Sequence, residues 1–271
     1  GLPALQLSFM RYVGHFAISS VLIFKGGVEL NRFDTDHRFL VILRGFLLMS
    51  STILNFISIQ YLPLTLTSTI LFSAPIMICA LSWPLLGERV GIWRWSAIML
   101  GFCGILVAIR PFDESFHWAV LLSVTGAFCF ALYSLLTRKL SGLVASDTMQ
   151  FYSGAVGTLV LLPAAIMLWQ NPENAFQWAV MIGLGFFGWL GHEFLTRAHG
   201  FAPASTLTPY GYTFIIYMAF WSMLVFDHLP DGWTVLGAVI IVIAGLVIWF
   251  RELILSRAGG RSNLKRDGYG K

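Results

Sequence analysis

The apolar run "LSFMRYVGHFAISSVLIF" (residues 7–24) contains two groups that hydrocarbon solvates badly, Arg11 and, one helical turn later, His15. A guanidinium presents its donors in a planar fork that matches the two oxygens of a carboxylate or phosphate. A second arginine, Arg44, interrupts another apolar run, and Tyr133 places a phenol well inside a third. "GHEF" (191–194) sets His192 beside Glu193, the one carboxylate that falls inside an apolar run. A charge at mid-bilayer costs about 2.5–3.5 kcal/mol on insertion scales. Each of these groups therefore finds a partner, snorkels to the headgroups, or meets a ligand. On the ligand reading, Arg11 and Arg44 are anion anchors, Tyr133 is a hydrogen-bonding wall, and His192 completes the set. His15 and Glu193 are candidate proton-coupling groups, the alternatives being a neutral histidine bonded to a carbonyl and a structural ion pair. Adjacent helix positions point about 100° apart, so His192 and Glu193 are not expected to face one centre together. Arginines plus a carboxylate would suit a zwitterion.

The elements that must position these residues follow from composition. The chain has 271 residues, 57% hydrophobic, 15% aromatic and 11% charged, with mean hydropathy +0.77. A soluble domain carries about a quarter charged residues. About 20 apolar residues cross a bilayer core, and cutting the chain at charges, prolines and Asn/Asp clusters leaves nine such pieces: 5–24, 39–59, 64–86, 92–109, 117–137, 147–168, 176–198, 202–226 and 232–250. The short alternating strands of a barrel are absent. The expected fold class is an all-α integral membrane bundle. Arg11 then lies roughly 9 Å inside its span, and Arg44 about as deep from the opposite face.

Short cytoplasmic loops retain Lys and Arg. Lys25, Arg32 and Arg38, then Arg89 and Arg94, Arg138 and Lys139, Arg197, and the basic tail 252–271 with Arg251 before it all fall on one side; only Arg110 falls on the other. The C-terminus is expected to be cytoplasmic, and nine crossings then place Gly1 outside.

Internal comparison changes the count. "YLPLTLTS" (61–68) resembles "FAPASTLT" (201–208), laying Pro63 on Pro203, and "GFCGILVAIR" (101–110) resembles "VIAGLVIWFR" (242–251), laying Gly104 on Gly245 and Arg110 on Arg251. The offset of 140 to 141 residues lays Gly1 just after the fifth span. The expectation is a ten-helix pattern of two five-helix repeats, residues 1–111 and 117–251, in which the counterpart of span 117–137 precedes Gly1 and the first repeat is incomplete. An odd number of helices per repeat inverts the second relative to the first, the arrangement used by secondary transporters to open a central site to each side in turn.

The stretches 43–76, 85–111 with Leu-Gly-Glu-Arg at 86–89, "GAFCFALYSLLTRKL" (126–140), "GHEFLTRAHGFAPASTLTPYGYTF" (191–214) and 227–252 resemble the EamA-type carriers of the drug/metabolite transporter superfamily. The last stretch is most similar to members described as S-adenosylmethionine or amino-acid-metabolite carriers. The resemblance implies a ten-helix fold with a central substrate cavity, and the family's usual first helix is not matched here. It implies a small-molecule metabolite as partner, zwitterionic or anionic, in a multi-pass protein of a bacterial inner membrane, with a homodimer compatible with that reading. The rival readings are a non-transporting or partner-completed membrane subunit and, needing Arg11, His15, His192 and Glu193 to converge as acid–base groups, an integral membrane enzyme.

Other features have plainer readings. The glycines of "GLGFFGWLG" (183–191) serve helix packing, because no strand precedes them and no Lys-Ser/Thr follows. Pro75 and Pro209 lie inside spans and free backbone carbonyls, which favours a kink. Asn55, Tyr210 and Tyr212 offer further hydrogen bonds, and Glu88 with Arg89 reads as a cap or salt bridge in a turn. Cys79, Cys103 and Cys129 are single and embedded in apolar runs, so neither a disulfide nor a metal framework is indicated. There is no Walker A loop and no zinc-protease spacing, and no cofactor is called for. The basic tail needs an anionic leaflet, not nucleic acid, as its partner.

Overall fold

The computed structural model describes residues 2–25, 36–86, 92–110, 116–201, 217, 220, 221, 223–225, 227 and 230–267, apart from the side chains of Trp83, Leu86, Arg94, Ile248, Glu252, Leu253 and 255–267. The calls on Pro203, Pro209, Tyr210, Tyr212, Glu88 and Arg89, and most of span 202–226, lie outside the described residues.

Helices form where the sequence places its apolar runs. In chain order they are α1 (Ala4–Lys25), α2 (Arg38–Ser58), α3 (Leu64–Leu71), α4 (Ala74–Leu86), α5 (Ile92–Ile109), α6 (Ala119–Leu140), α7 (Ser146–Leu168), α8 (Ala175–Phe201) and α9 (Gly232–Asp267). Among the described residues seven segments are long and apolar enough to cross a membrane, with α3 and α4 forming one of them, and Trp95–Ile109 is a shorter apolar helix. The protein is an all-α membrane protein. Large apolar side chains such as Phe39, Leu159, Ile166, Met167 and Phe187 stand outward, as hydrocarbon requires and water does not favour.

The span expected over 64–86 is interrupted at Phe72–Ser73. Pro75 supplies the cause: it lacks the N–H that would bond to Leu71, and its ring crowds that carbonyl. The chain tightens there, with Ser73 N–H bonding to Ile70 O and Ile76 N–H to Ser73 O, both at 3.0 Å. The Ser73 hydroxyl also donates to Ile70 O at 2.5 Å. Pro75 then occupies the first turn of α4, where proline is tolerated. Helix α9 continues past the last apolar residues into the basic tail, to Asp267.

The chain divides into two compact units, Gly1–Leu62 with His117–Ala202, and Pro63–Phe116 with Pro203–Lys271. Each unit draws helices from both sequence repeats. In the first, α1 packs on α7 and α8, and α2 on α6 and α7. Small residues permit these approaches. A Cβ on Gly14 would lie 2.7 Å from Gly185 Cα, one on Gly45 3.1 Å from Ser153 Cα, and one on Gly154 2.7 Å from Phe16 Cα. These positions obey the repeat: Gly14 and Gly154 are 140 residues apart, and so are Gly45 and Gly185. The α1–α8 contact is thus repeated as the α7–α2 contact. Gly185 and Gly188 carry the packing role expected of the 183–191 glycines, whereas Gly191 meets nothing within 4 Å. Gly142, at φ +84, makes the turn between α6 and α7.

In the second unit α5 packs on α9 where Gly104 and Gly237 bring the helices together. Asp231 caps α9 through the Thr234 N–H and hydroxyl. It also pairs with Arg110 at 3.1 Å.

Candidate functional site

The polar residues singled out by sequence gather, with one exception, into a single hydrogen-bonded network inside the first unit. Its centre is Arg44 on α2, fully buried. Nε donates to Thr137 Oγ1 at 2.8 Å, one terminal nitrogen to Met149 O at 3.1 Å and Ser153 Oγ at 2.8 Å, and the other to Tyr133 Oη at 3.0 Å and Thr196 Oγ1 at 2.9 Å. All five N–H groups are satisfied, each by a neutral oxygen, on α6, α7 and α8. The guanidinium also lies 4.6 Å from the centre of the Tyr133 ring. Arg44 therefore has no free donor for a ligand in this structure. The expectation of a second anion anchor is corrected on that physical ground: Arg44 organises the helices around it.

Arg11 is different. It is half-buried, and its side chain lies against Gly188, where a Cβ would stand 2.9 Å from Nε. One terminal nitrogen donates to Thr52 Oγ1 at 3.0 Å and the other to His192 Nε2 at 2.8 Å. Thr52 and His192 are 140 residues apart, so one guanidinium joins equivalent positions of the two repeats. Nε–H and one N–H on each terminal nitrogen have no protein acceptor among the described residues. Arg11 is the group here with hydrogen bonds to offer.

Hydrogen-bond directions follow from Arg11, because an arginine only donates. His192 accepts at Nε2, so its proton resides on Nδ1 and is donated to Tyr133 Oη, 3.2 Å away. Tyr133 Oη thus accepts from both His192 and Arg44, and its own hydrogen is left over. Thr52 Oγ1 donates to Leu48 O at 3.0 Å and accepts from Arg11 and from Tyr12 Oη, the latter also at 3.0 Å. The chain Arg11–His192–Tyr133–Arg44 contains two cations and no carboxylate.

His15 joins the same network on its far side. Its Nε2 lies 3.1 Å from Gln150 Oε1, and the Gln150 amide donates to Thr196 Oγ1 at 3.1 Å. With the amide in this orientation His15 Nε2 is the donor, and Nδ1 is buried without a hydrogen-bond partner. The ring stacks 6.4 Å from those of Tyr12 and His192. His15 therefore meets a side-chain amide, and not the backbone carbonyl of the alternative reading.

Glu193 stands apart. It is buried, accepts from Ser146 Oγ at 3.2 Å, and pairs with Arg197 at 2.5 Å, one turn along α8. Arg197 also reaches Asp147 at 4.0 Å. The 100° between adjacent positions of α8 turns Glu193 to this ion-pair cluster while His192 faces Arg11. Sequence reasoning missed the uncharged partners Thr52, Thr137, Gln150, Ser153 and Thr196. The signal that would have found the first is the repeat offset, which carries His192 onto Thr52.

The fold and the buried cationic network define a membrane protein with a polar centre. The EamA-like transporter family matches residues 1–110 and again 117–250, and the chain belongs to that family. It is similar to an S-adenosylmethionine uptake transporter of Rickettsia felis, 31% identical over 93% of this chain and 84% of that protein. A riboflavin transporter of Vibrio cholerae is 30% identical over 90% of this chain and 82% of its own length, and a pseudopaline exporter of Pseudomonas aeruginosa is 27% identical over 91% and 86%. A protein of known crystal structure has the same fold, with TM-score 0.69 and 16% identity over 92% of this chain and 88% of that chain. The chain is a multi-pass transporter of small metabolites.

Proposed function

We propose that this protein is a secondary carrier that moves an acid-bearing organic metabolite by alternating access, with Arg11 as the group that grips the carboxylate or phosphate. The observation that carries this reading is the contrast between the two arginines: Arg44 is saturated by protein oxygens, whereas Arg11 keeps three unused N–H donors beside His192. His192 and Tyr133 hold Arg11 in place, and His15 is the coupling group, since it is the buried ring of the Arg11–Arg44 network whose Nδ1 has no hydrogen-bond partner. Glu193 supports this reading as an ion-pair partner of Arg197, not as a ligand for a substrate amine. An S-adenosylmethionine-like or amino-acid-derived substrate fits through its carboxylate, and any ammonium it carries finds its acceptor elsewhere.

A carrier accounts for the network better than an enzyme does. The network offers hydrogen-bond donors to an acceptor and contains no nucleophile paired with a general base. In this reading the protein resides in a bacterial inner membrane with its C-terminus in the cytoplasm, the side favoured by Lys25, Arg138, Lys139 and Arg197.

Counterflow in liposomes tests the proposal, offering S-adenosylmethionine, amino acids, riboflavin and simple carboxylates. Saturable exchange of an acid-bearing solute that Arg11→Gln abolishes and Arg11→Lys retains in part is expected, because lysine keeps the charge but not the fork. Undiminished exchange in Arg11→Gln would refute the anchor.

A further inference from the structure

Charge balance within the spans leads beyond the carrier reading. Arg11 and Arg44 are the cations of the buried network, and Glu193 is the one carboxylate that the sequence places inside an apolar run; Asp147 stands in the first turn of α7. Glu193 is held by Arg197 at 2.5 Å. Arg11 has no ion-pair partner among the described residues. The neutral groups around Arg11 supply two acceptors and the face of the Tyr12 ring, 5.3 Å from the guanidinium carbon, but no negative charge. Thr52 Oγ1 already accepts from both Arg11 and Tyr12, and the one acceptor nitrogen of His192 already faces Arg11. An uncompensated guanidinium in the membrane interior is costly, and three N–H donors on its outer edge are unused.

We propose that in the substrate-free state Arg11 holds a small inorganic anion, a halide or an oxyanion, which the anionic group of the substrate displaces. Arg11 offers three N–H donors and a positive charge, so what it takes is an anionic hydrogen-bond acceptor. Binding and release of substrate then become an exchange of anions over a charge that never stands bare. This rests on the proposed role of Arg11 as substrate anchor, but its test does not require the substrate to be known.

The full chain in detergent is melted while tryptophan fluorescence is followed, in a buffer of millimolar ionic strength and then with chloride or inorganic phosphate added in steps, with Arg11→Gln melted in parallel to remove the general effect of salt. A saturable rise in Tm is expected, about 2–4 °C once the anion exceeds its Kd several-fold. Arg11→Gln should remove the rise and Arg11→Lys should keep part of it, so that a misfolded glutamine variant does not leave the matter open. A response to chloride assigns a halide, and one to phosphate alone assigns an oxyanion at the same site. Equal melts without and with chloride or phosphate, or a rise that survives in Arg11→Gln, would overturn the proposal. Counterflow in the same buffer of millimolar ionic strength separates the two readings. Transport that runs there with no anion effect on Tm retires the resting anion and leaves the carrier standing. Anion binding at Arg11 without any counterflow retires the carrier reading alone.

Discussion

Two arginines with the same sequence signature end in opposite situations, and the difference is one of partners. Arg44 sits where α6, α7 and α8 each present an oxygen, and every one of its N–H groups is taken. Arg11 meets one hydroxyl, one imidazole and the face of the Tyr12 ring, and three of its N–H groups remain without a protein acceptor among the described residues. The link between them is the Tyr133 hydroxyl, which accepts from Arg44 and from His192. Tyr133→Phe leaves the His192 Nδ1–H and one Arg44 N–H unpaired in a buried site, and the cost is about 1–3 kcal/mol of stability, read as a lowered unfolding midpoint. His192 cannot relieve this by moving its proton to Nε2, because that nitrogen faces an arginine donor. Arg11 loses its support as a result, so the half-saturating substrate concentration in counterflow should rise about tenfold while maximal flux changes less. An unchanged half-saturation value would show that Tyr133 has no part in holding Arg11. Much of this site was legible in the sequence because charged and aromatic groups inside apolar runs announce themselves. Arg11, Arg44, Tyr133, His192 and His15 do converge on one network. Thr52, Thr137, Gln150, Ser153 and Thr196 were not legible, since uncharged residues are common in spans and which of them meet is a matter of helix packing. The direction taken by Glu193 was legible only as an exclusion, from the angle between it and His192.

Helices are the best-determined level of this fold, because a run of about 20 apolar residues has one economical solution in hydrocarbon. Their contacts depend on small residues at places that periodicity alone does not reveal. The glycines of 183–191 read collectively as packing residues, yet their environments differ sharply. A Cβ on Gly14 would collide with the backbone of α8 at Gly185, where no side chain can yield, whereas Gly191 faces open space and Gly183 meets only the Phe187 ring, at 3.9 Å. Gly14→Ala should therefore lower the unfolding midpoint and the yield of folded protein, with a loss of about 1–3 kcal/mol from forced separation of α1 and α8. Gly191→Ala should leave both near wild type or improve them slightly, since alanine favours helix over glycine by up to about 1 kcal/mol. Comparable losses from both substitutions would mean that α1 and α8 do not meet at Gly14 and Gly185. The break at Phe72–Ser73 was half legible. Pro75 marked the place, but a bent helix and two helices separated by a tightened turn share the same sequence pattern, and the hydrogen bonds of Ser73 decide between them.

At the scale of the whole chain, the sequence repeats and the compact units divide the protein differently. The family matches residues 1–110 and 117–250 in succession, while each compact unit combines helices from both stretches. Interleaving of this kind follows when equivalent helices pack across an internal axis, and the first unit shows it twice: Gly14 on Gly185 mirrors Gly45 on Ser153, and Arg11 bridges Thr52 and His192. In the proposed carrier the second repeat enters the membrane inverted, which sets where each connection lies. On that proposal the connection after α6, which carries Arg138 and Lys139, lies on the cytoplasmic side with the tail, whereas the connection after α5 follows Arg110, a cation paired with Asp231 and so a weak retention signal. A fluorescent protein fused after Lys271 or inserted at Gly142 should be bright, and alkaline phosphatase inserted between 111 and 116 should be active. Phosphatase activity at Gly142 together with fluorescence from the 111–116 insertion would reverse the orientation. Activity of one reporter at both loops would be more damaging, since it would place both ends of α6 on one side of the membrane and remove the inversion on which alternating access between the repeats depends.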